Sequence, residues 1–144
     1  MINELKPFVD RLRSSNLRPT RQRVTICKVL FEKKDTFHFT IEQLKKIVEK
    51  NTKSKISLAT IYNTVHAFKK SGYLKEISLH GNKTFFDTNS KNHHHFYDQD
   101  ADNLIDISND DIIINKIPNV PKGKKIKNIE VTVKIENSNQ NQKK

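Results

Sequence analysis

The 144-residue chain is basic and polar: it has a net charge of +11, 34% hydrophobic residues and no Trp. Such a composition argues against one large core and favours two small modules or a dimer that shares core surface. No run of about 20 apolar residues is present, which argues against a transmembrane helix. The N-terminal sequence lacks a signal-peptide pattern, so we expect a cytoplasmic protein. A single cysteine, Cys27, excludes an internal disulfide, and its helical spacing with apolar residues predicts a buried core thiol.

The positive charge is concentrated in the first part of the chain. Residues 1–87 hold 18 Lys and Arg against 8 Asp and Glu, whereas residues 88–144 hold 9 against 8. This asymmetry indicates a module that binds nucleic acid or an anionic membrane surface. The alternative is a Lys-, Asn- and Ile-rich composition typical of an AT-rich genome.

Four segments before residue 73 show apolar residues at helical spacing. Thr20, Thr40 and Ser57 are suited to cap the second, third and fourth helices, and Gln43 completes a capping box with Thr40. Gly72 is well placed to end the fourth helix. The predicted apolar faces consist of Leu5, Phe8, Val9 and Leu12; Val24, Cys27, Leu30 and Phe31; Leu44, Ile47 and Val48; and Leu58, Ile61, Val65 and Phe68, the last four pointing inward.

A β pattern follows the helices. Residues 74–79 and 83–86 are predicted to be extended, with a tight turn at 80–82. Helices followed by a hairpin are typical of a winged helix-turn-helix. Further on, HHHFYD, NLIDI and IEVTVKIE are predicted to be strands of a second, small sheet. We therefore predict an α+β fold: a winged-helix DNA-binding domain over 1–88, a C-terminal α/β dimerisation and sensing module over 89–136, and a disordered tail over 137–144.

The outward face of the fourth helix has the side chains that contact with DNA requires. Thr60 and Tyr62 can bond phosphates or touch thymine methyls, and Asn63 can pair with adenine in the major groove. Lys83 in the hairpin and Arg18 before the second helix add positive charge. An ordinary solvated helix has a similar polar face. The interpretation as a DNA-binding helix therefore depends on the capped helix before it and the basic hairpin after it. The outward face comprises Ala59, Thr60, Tyr62, Asn63, His66 and Lys70.

Histidines and carboxylates recur at positions that could form one metal site. Two imidazoles of the His93-His94-His95 run, the first and the third, point to the same face of a strand. A site shared by the two modules would fix their relative orientation. An exposed strand without metal is the alternative that spacing leaves open. The candidate ligands, suited to Fe²⁺, Mn²⁺ or Zn²⁺, are His38, Asp87, His93, His95 and Asp106.

Several segments together resemble the ferric uptake regulator (Fur) family, from about Leu17 to Asp106: LRPTRQRVTICKVLF, FHFTIEQL, SLATIYNTVHAFKKSGYL and KTFFD. HHHFYD followed by NLIDI, without cysteines, is similar to the iron response regulator (Irr) branch. The resemblance implies that the fourth helix is the recognition helix, that Tyr62 and Asn63 approach bases and that Arg18 enters the minor groove. It also implies a homodimer joined through the C-terminal sheet and bound to an AT-rich, two-fold-related operator.

The resemblance also bears on ligands and function. The five candidate ligands match the family's regulatory metal site, and Irr proteins are associated with haem at this histidine run, which makes His93, His94 and His95 candidate axial ligands. The family's CxxC pair is replaced by Asp98 and Ala101. We predict a metal- or haem-responsive regulator of iron homeostasis. The alternatives are a manganese- or peroxide-responsive repressor of the same family and a small metal-dependent hydrolase. The lack of an HExxH motif argues against the hydrolase.

Overall fold

The computed structural model describes residues 4–139, and the chain divides after Ser90 into two units. The N-terminal unit combines helices with a three-stranded sheet, and the described part of the C-terminal unit contains a second three-stranded sheet. In chain order the elements are α1 (Lys6–Ser14), α2 (Arg21–Phe31), β1 (His38–Phe39), α3 (Ile41–Thr52), α4 (Leu58–Lys70), β2 (Lys75–Ser78), β3 (Thr84–Asp87), β4 (His94–Asp98), β5 (Asn103–Ile107) and β6 (Thr132–Ile135).

Side-chain caps begin three of the helices, as the sequence predicts. The Thr20 hydroxyl accepts a hydrogen bond from the backbone N–H of Arg23 at 3.2 Å. Thr40 and Gln43 form a reciprocal capping box, with bonds of 3.0 and 3.2 Å. Ser57 accepts from the Thr60 N–H at 3.0 Å. Each cap satisfies amide groups that have no partner within the helix, which fixes where α2, α3 and α4 start.

The core of the N-terminal unit draws on all four helices. Phe68 is fully buried and meets the ring of Phe31 edge-on at 5.3 Å. Cys27 is also fully buried, which confirms the predicted core thiol, and burial raises its pKa to about 12, although the nearby Arg11 opposes the shift. A thiol held protonated in this way is a poor nucleophile and a poor metal ligand. Buried apolar residues of the four helices include Leu12, Ile26, Leu30, Leu44, Val48, Ile61 and Val65.

One predicted core residue of α4 is wrong. Leu58 is 46% exposed, whereas Ile61, Val65 and Phe68 are fully buried. Leu58 lies in the first turn of α4, and the buried stripe of the helix begins at Ile61. Spacing alone places Leu58 on that stripe, but burial at a helix end depends on what packs there.

The first sheet has the strand order β1-β3-β2, and both pairs are antiparallel. The turn between β2 and β3 contains Gly81 and Asn82 with φ of 75° and 62°, which is the left-handed conformation that tight turns favour. β1 was not predicted, since a strand of two residues is too short for its alternation to be recognised. Its pairing with β3 places His38 directly opposite Asp87.

In the second sheet, β4 is central, with β5 antiparallel on one side and β6 parallel on the other. The predicted α/β composition of this unit is wrong for the described residues: between 91 and 139 there are strands and a 3-10 turn at Asn109–Asp111, but no α-helix. Pro118, Pro121 and Gly123 fall in the long connection to β6, where they disfavour helical hydrogen bonding.

Two further predictions concern the tail and the membrane. Most of the predicted disordered tail, residues 137–144, lies outside the described residues, which end at residue 139. Among the helices that the structure describes, none has the length and apolar character needed to cross a membrane.

Candidate metal centre and nucleic-acid interface

A histidine–aspartate pair lies in the first sheet. β1 and β3 place His38 beside Asp87, and the imidazole Nε2 lies 3.2 Å from a carboxylate oxygen of Asp87. Asp87 is completely buried, and its other oxygen accepts a hydrogen bond from the Asn89 N–H at 2.8 Å. A buried carboxylate needs compensating partners because desolvation is costly. The N-terminal unit thus supplies one imidazole and one carboxylate at a single point.

A second group of potential ligands lies on the second sheet. β4 pairs His95 with Asp106 of β5, and His93 precedes β4 on the same face. Both imidazoles point Nε2 at the same oxygen of Asp106, at 3.3 Å in each case, and their ring centroids are 4.4 Å apart. His93 and His95 are 7% and 4% exposed. The described part of this unit therefore brings together two buried imidazoles and one carboxylate.

The hydrogen bonding of His93 bears on what this group can bind. Its Nδ1 lies 2.7 Å from the backbone oxygen of Lys91. Since a carbonyl oxygen only accepts, Nδ1 carries the hydrogen, and in the neutral imidazole the lone pair is on Nε2. In that neutral form Nε2 is the atom that can bind a cation, and it lies 3.3 Å from a carboxylate oxygen of Asp106. A divalent cation bound by both satisfies them, and the backbone bond at Nδ1 is the usual way in which proteins orient a histidine ligand.

The opposite face of the second sheet is different in character. His94 lies on this face, and its Nδ1 accepts a hydrogen bond from the Val131 N–H at 2.9 Å. Register places Ile105, Phe96 and Val133 in one row across β5, β4 and β6. Ile105 is 45% and Val133 37% exposed. One face of the sheet thus carries imidazoles and a carboxylate, and the other carries an apolar row open to solvent.

The outward face of α4 holds three of the predicted DNA contacts. Tyr62 is 51% exposed, and Asn63 beside it is exposed as well. Together with Leu58 and Ala59 they line an open groove that Ile41 and Glu42 of α3 complete. The Thr60 hydroxyl lies 2.8 Å from that of Ser57 and is half-buried, so it is less available than its neighbours.

The other two predicted DNA contacts lie on separate elements. Arg18 is exposed just before α2, and its backbone oxygen accepts a hydrogen bond from the Arg23 guanidinium at 2.9 Å. Lys83 lies in the β2–β3 hairpin with its ammonium group 5.7 Å from the ring centroid of Phe85. The N-terminal unit therefore presents positive charge from the connection before α2 and from the hairpin, in addition to the polar face of α4.

Sequence reasoning missed one residue that positions α4. The Glu49 carboxylate, near the end of α3, accepts hydrogen bonds from the Ile56 N–H and from the Lys45 ammonium group, both at 2.9 Å. Ile56 is buried two residues before α4 begins. These two hydrogen bonds lower the pKa of Glu49, the backbone bond most strongly. The sequence shows only an ordinary i, i+4 pair with Lys45, and the bond to Ile56 arises from the path of the connector.

We expect Glu49→Gln to reduce the sensitivity of the protein to acid. A carboxyl group whose pKa is lowered by folding stabilises the protein at pH values above its unfolded pKa, and this contribution is lost as the pH falls through the folded pKa. The variant should be less stable than the wild type at neutral pH, and the difference should shrink as the pH falls below 4.5, the ordinary pKa of a glutamate. Urea unfolding at several pH values tests this, and a constant difference would contradict the assignment.

An acidic turn stands where the family resemblance leads one to look for a cysteine pair. The Asp98 carboxylate accepts hydrogen bonds from the N–H groups of Asp100 and Ala101 at 3.0 Å. The Tyr97 hydroxyl donates to Asp102 at 2.7 Å, and this bond raises the pKa of Tyr97 because it favours the protonated phenol. Hydrogen bonds within the turn therefore hold the carboxylates of Asp98 and Asp102 in place.

Comparison with known proteins identifies the family that the chain resembles. The model of the ferric uptake regulator family matches residues 14–136. The peroxide-responsive repressor PerR of Staphylococcus aureus is 30% identical over 104 residues, which cover 72% of this chain and 68% of the relative.

Solved structures share the fold at lower sequence identity. The ferric uptake regulator of Vibrio cholerae is 20% identical with a TM-score of 0.67, over 89% of this chain and 98% of that one. The peroxide stress regulator of Campylobacter jejuni is also 20% identical, with a TM-score of 0.58 over 96% and 99% of the two chains. The family match covers most of the sequence, and the chain belongs to the ferric uptake regulator family.

Proposed function

We propose that this protein is a metal-responsive, DNA-binding transcriptional regulator. The observation that carries the proposal is the group on the second sheet: two buried imidazoles, each 3.3 Å from one oxygen of Asp106, in a chain of this family. Nitrogen and oxygen donors of this kind suit Fe²⁺, Mn²⁺ and Zn²⁺. Family membership favours a regulator over the hydrolase, and we place the regulator in the cytoplasm, where its DNA would be.

For DNA binding, we assign residues 1–88 to a winged-helix domain. In this proposal α4 is the recognition helix, and the β2–β3 hairpin is the wing. Tyr62 and Asn63, both exposed on α4, approach base edges in the major groove. Thr60 and Lys83 contact phosphates, and Arg18 approaches the minor groove. The net charge of +10 over residues 1–87 supports a polyanionic partner.

We expect Tyr62→Ala and Asn63→Ala each to weaken binding to the operator by about 1–3 kcal/mol, because each removes a contact to a base edge. Binding to a scrambled duplex of the same length should change little, because phosphate contacts dominate there. Fluorescence anisotropy with a duplex that the wild-type protein selects from a random library measures both.

Lys83→Ala is the matched control for charge. It should weaken binding to the selected and the scrambled duplex alike and reduce the salt dependence of both. If Tyr62→Ala and Asn63→Ala match the wild type on both duplexes, α4 is not the recognition helix.

For sensing, we propose that one ion takes ligands from both units. His38 and Asp87 form one cluster in the first sheet, and His93, His95 and Asp106 form another in the second sheet. The family resemblance assigns all five positions to one regulatory site. An ion that binds both clusters would favour the arrangement of the two units to which it binds more tightly. The size of this effect is set by the difference in ion affinity between the possible arrangements. The ion would thus act on DNA binding without touching DNA.

For assembly, we propose a homodimer joined through residues 89–136. The apolar row of Ile105, Phe96 and Val133 lies on the face of the second sheet opposite His95 and Asp106. Packing this row against the same row of a second chain would remove apolar surface from water. A symmetric dimer would place two recognition helices on an operator with two-fold symmetry, which we expect to be AT-rich.

Two finer assignments of the signal compete. The histidine run favours an Irr-like, haem-responsive regulator of iron homeostasis, with His93, His94 or His95 as the axial ligand. These three rings are all less than 8% exposed, so haem would require the sheet to open, which makes a small cation the better fit. The similarity to PerR supports a peroxide-responsive repressor instead.

One experiment separates the two signals. In a peroxide-responsive repressor, hydrogen peroxide should alter operator binding by the Fe²⁺-loaded protein and leave the Zn²⁺-loaded protein unchanged, because Zn²⁺ has no redox chemistry. A haem-responsive regulator should instead show a haem absorption spectrum that changes in His93→Ala or His95→Ala.

A further inference from the structure

On the outward face of α4, one aromatic side chain lies over another. The rings of Tyr62 and His66 are one helical turn apart and stack with their centroids 5.7 Å apart and their planes 8° from parallel. Both side chains are exposed. Within the part of the chain that the structure describes, the His66 imidazole makes no hydrogen bond or ion pair. Its ring contact is with Tyr62.

We propose that His66 is a positioning residue that holds the Tyr62 ring in the orientation in which it meets DNA. This inference rests on the function proposed above, in which Tyr62 contacts bases. An exposed tyrosine on a helix samples several rotamers, and restricting it on binding costs conformational entropy. A neighbouring ring stacked at i+4 restricts it before binding, so that part of this cost is removed.

Contacts to bases and contacts to phosphates differ in how precisely a side chain must be placed. A base contact requires the Tyr62 hydroxyl and ring edge at one place in the groove, whereas a phosphate contact tolerates many positions. Orienting Tyr62 therefore acts on discrimination between sequences more than on overall affinity. The alternative role for His66, a direct contact to phosphate, would affect all sequences equally.

Three variants test the proposal in the full-length protein, loaded with Mn²⁺, on the selected and the scrambled duplex. His66→Ala removes the stack and should weaken binding to the selected duplex by about three- to tenfold, with the scrambled duplex within about twofold. His66→Phe keeps a flat ring and should restore binding to the selected duplex. His66→Lys supplies a cation without a ring and should not restore it.

A double-mutant cycle connects the effect to Tyr62. In the Tyr62→Ala background, His66→Ala should have no further effect on the selected duplex, because the ring to be positioned is gone. The proposal is overturned if His66→Ala matches the wild type, if His66→Lys restores binding where His66→Phe does not, or if the two mutations add independently. Failure of the proposed function is a different result: Tyr62→Ala itself would then leave discrimination unchanged.

Discussion

The substitution His95→Ala is expected to weaken Mn²⁺ binding by at least about 100-fold, because it removes a ligand. Loss of a residue that only hydrogen bonds to a ligand already lowers metal affinity by about 10- to 100-fold. His95 is 4% exposed and faces Asp106, so its removal also leaves that carboxylate with one imidazole partner fewer. The change that Mn²⁺ causes in operator affinity should disappear with it, although His95 is on the C-terminal unit and not on α4. Calorimetric titration with Mn²⁺ and anisotropy with the selected duplex measure the two effects.

A second variant separates metal binding from folding. Asp106→Asn keeps the shape of a side chain that is 45% exposed but removes its charge, so it should weaken Mn²⁺ binding without a cavity. His80→Ala is the matched control for the Mn²⁺ titration, since His80 is an exposed histidine outside both clusters. Because His80 lies in the β2–β3 turn of the proposed wing, this variant is a control for Mn²⁺ affinity and not for operator affinity.

Thermodynamic linkage relates the effect of Mn²⁺ on operator affinity to the effect of the operator on Mn²⁺ affinity. If Mn²⁺ changes operator affinity by a given factor, the operator must change Mn²⁺ affinity by the same factor. His38→Ala should weaken Mn²⁺ binding as well if the ion is shared by both units, and it should leave binding unchanged if the C-terminal cluster binds the ion alone. Should His95→Ala and Asp106→Asn both retain wild-type Mn²⁺ and operator affinity, the histidine run is a structural feature of the sheet.

The second large effect concerns assembly. Val133→Asp introduces a charge at the β6 end of the apolar row and should convert the dimer to monomers at micromolar concentration, because burying an unpaired carboxylate at an interface is costly. Operator binding should fall with it, since a monomer loses the second half-site. Sedimentation velocity and anisotropy on the same samples measure both.

Thr132→Asp is the matched control for this experiment. Thr132 is adjacent in β6, is exposed, and pairs with His95 on the opposite face of the sheet. It introduces the same charge away from the apolar row, so the dimer should persist. A wild-type protein that sediments as a monomer would contradict the proposed homodimer, and a dimeric Val133→Asp variant would show that the interface lies elsewhere.

Much of the N-terminal unit is predictable because its signals are local. Thr20, Thr40 and Ser57 each hydrogen bond within three residues, so the beginning of each helix follows from neighbouring residues. The burial of Cys27 likewise follows from its spacing with apolar residues on α2. Leu58 shows the limit of this reasoning, because its exposure depends on what packs beside the first turn of α4.

The alternation of His93, His94 and His95 also follows from the sequence, since a strand places neighbouring side chains on opposite faces. By itself the sequence therefore determined where α2, α3 and α4 begin, the hairpin and the three strands of the second sheet, and it predicted a set of potential ligands. Their pairing was decided only by the tertiary structure: β1 has two residues, yet its register with β3 brings His38 to Asp87, and the register of β4 with β5 brings His95 to Asp106. The same is true of Glu49, whose bond to Ile56 depends on how the connector returns to α3. The physical reason is that helical periodicity and caps are set within one or two turns of chain, whereas strand register is set by contacts between residues far apart in sequence.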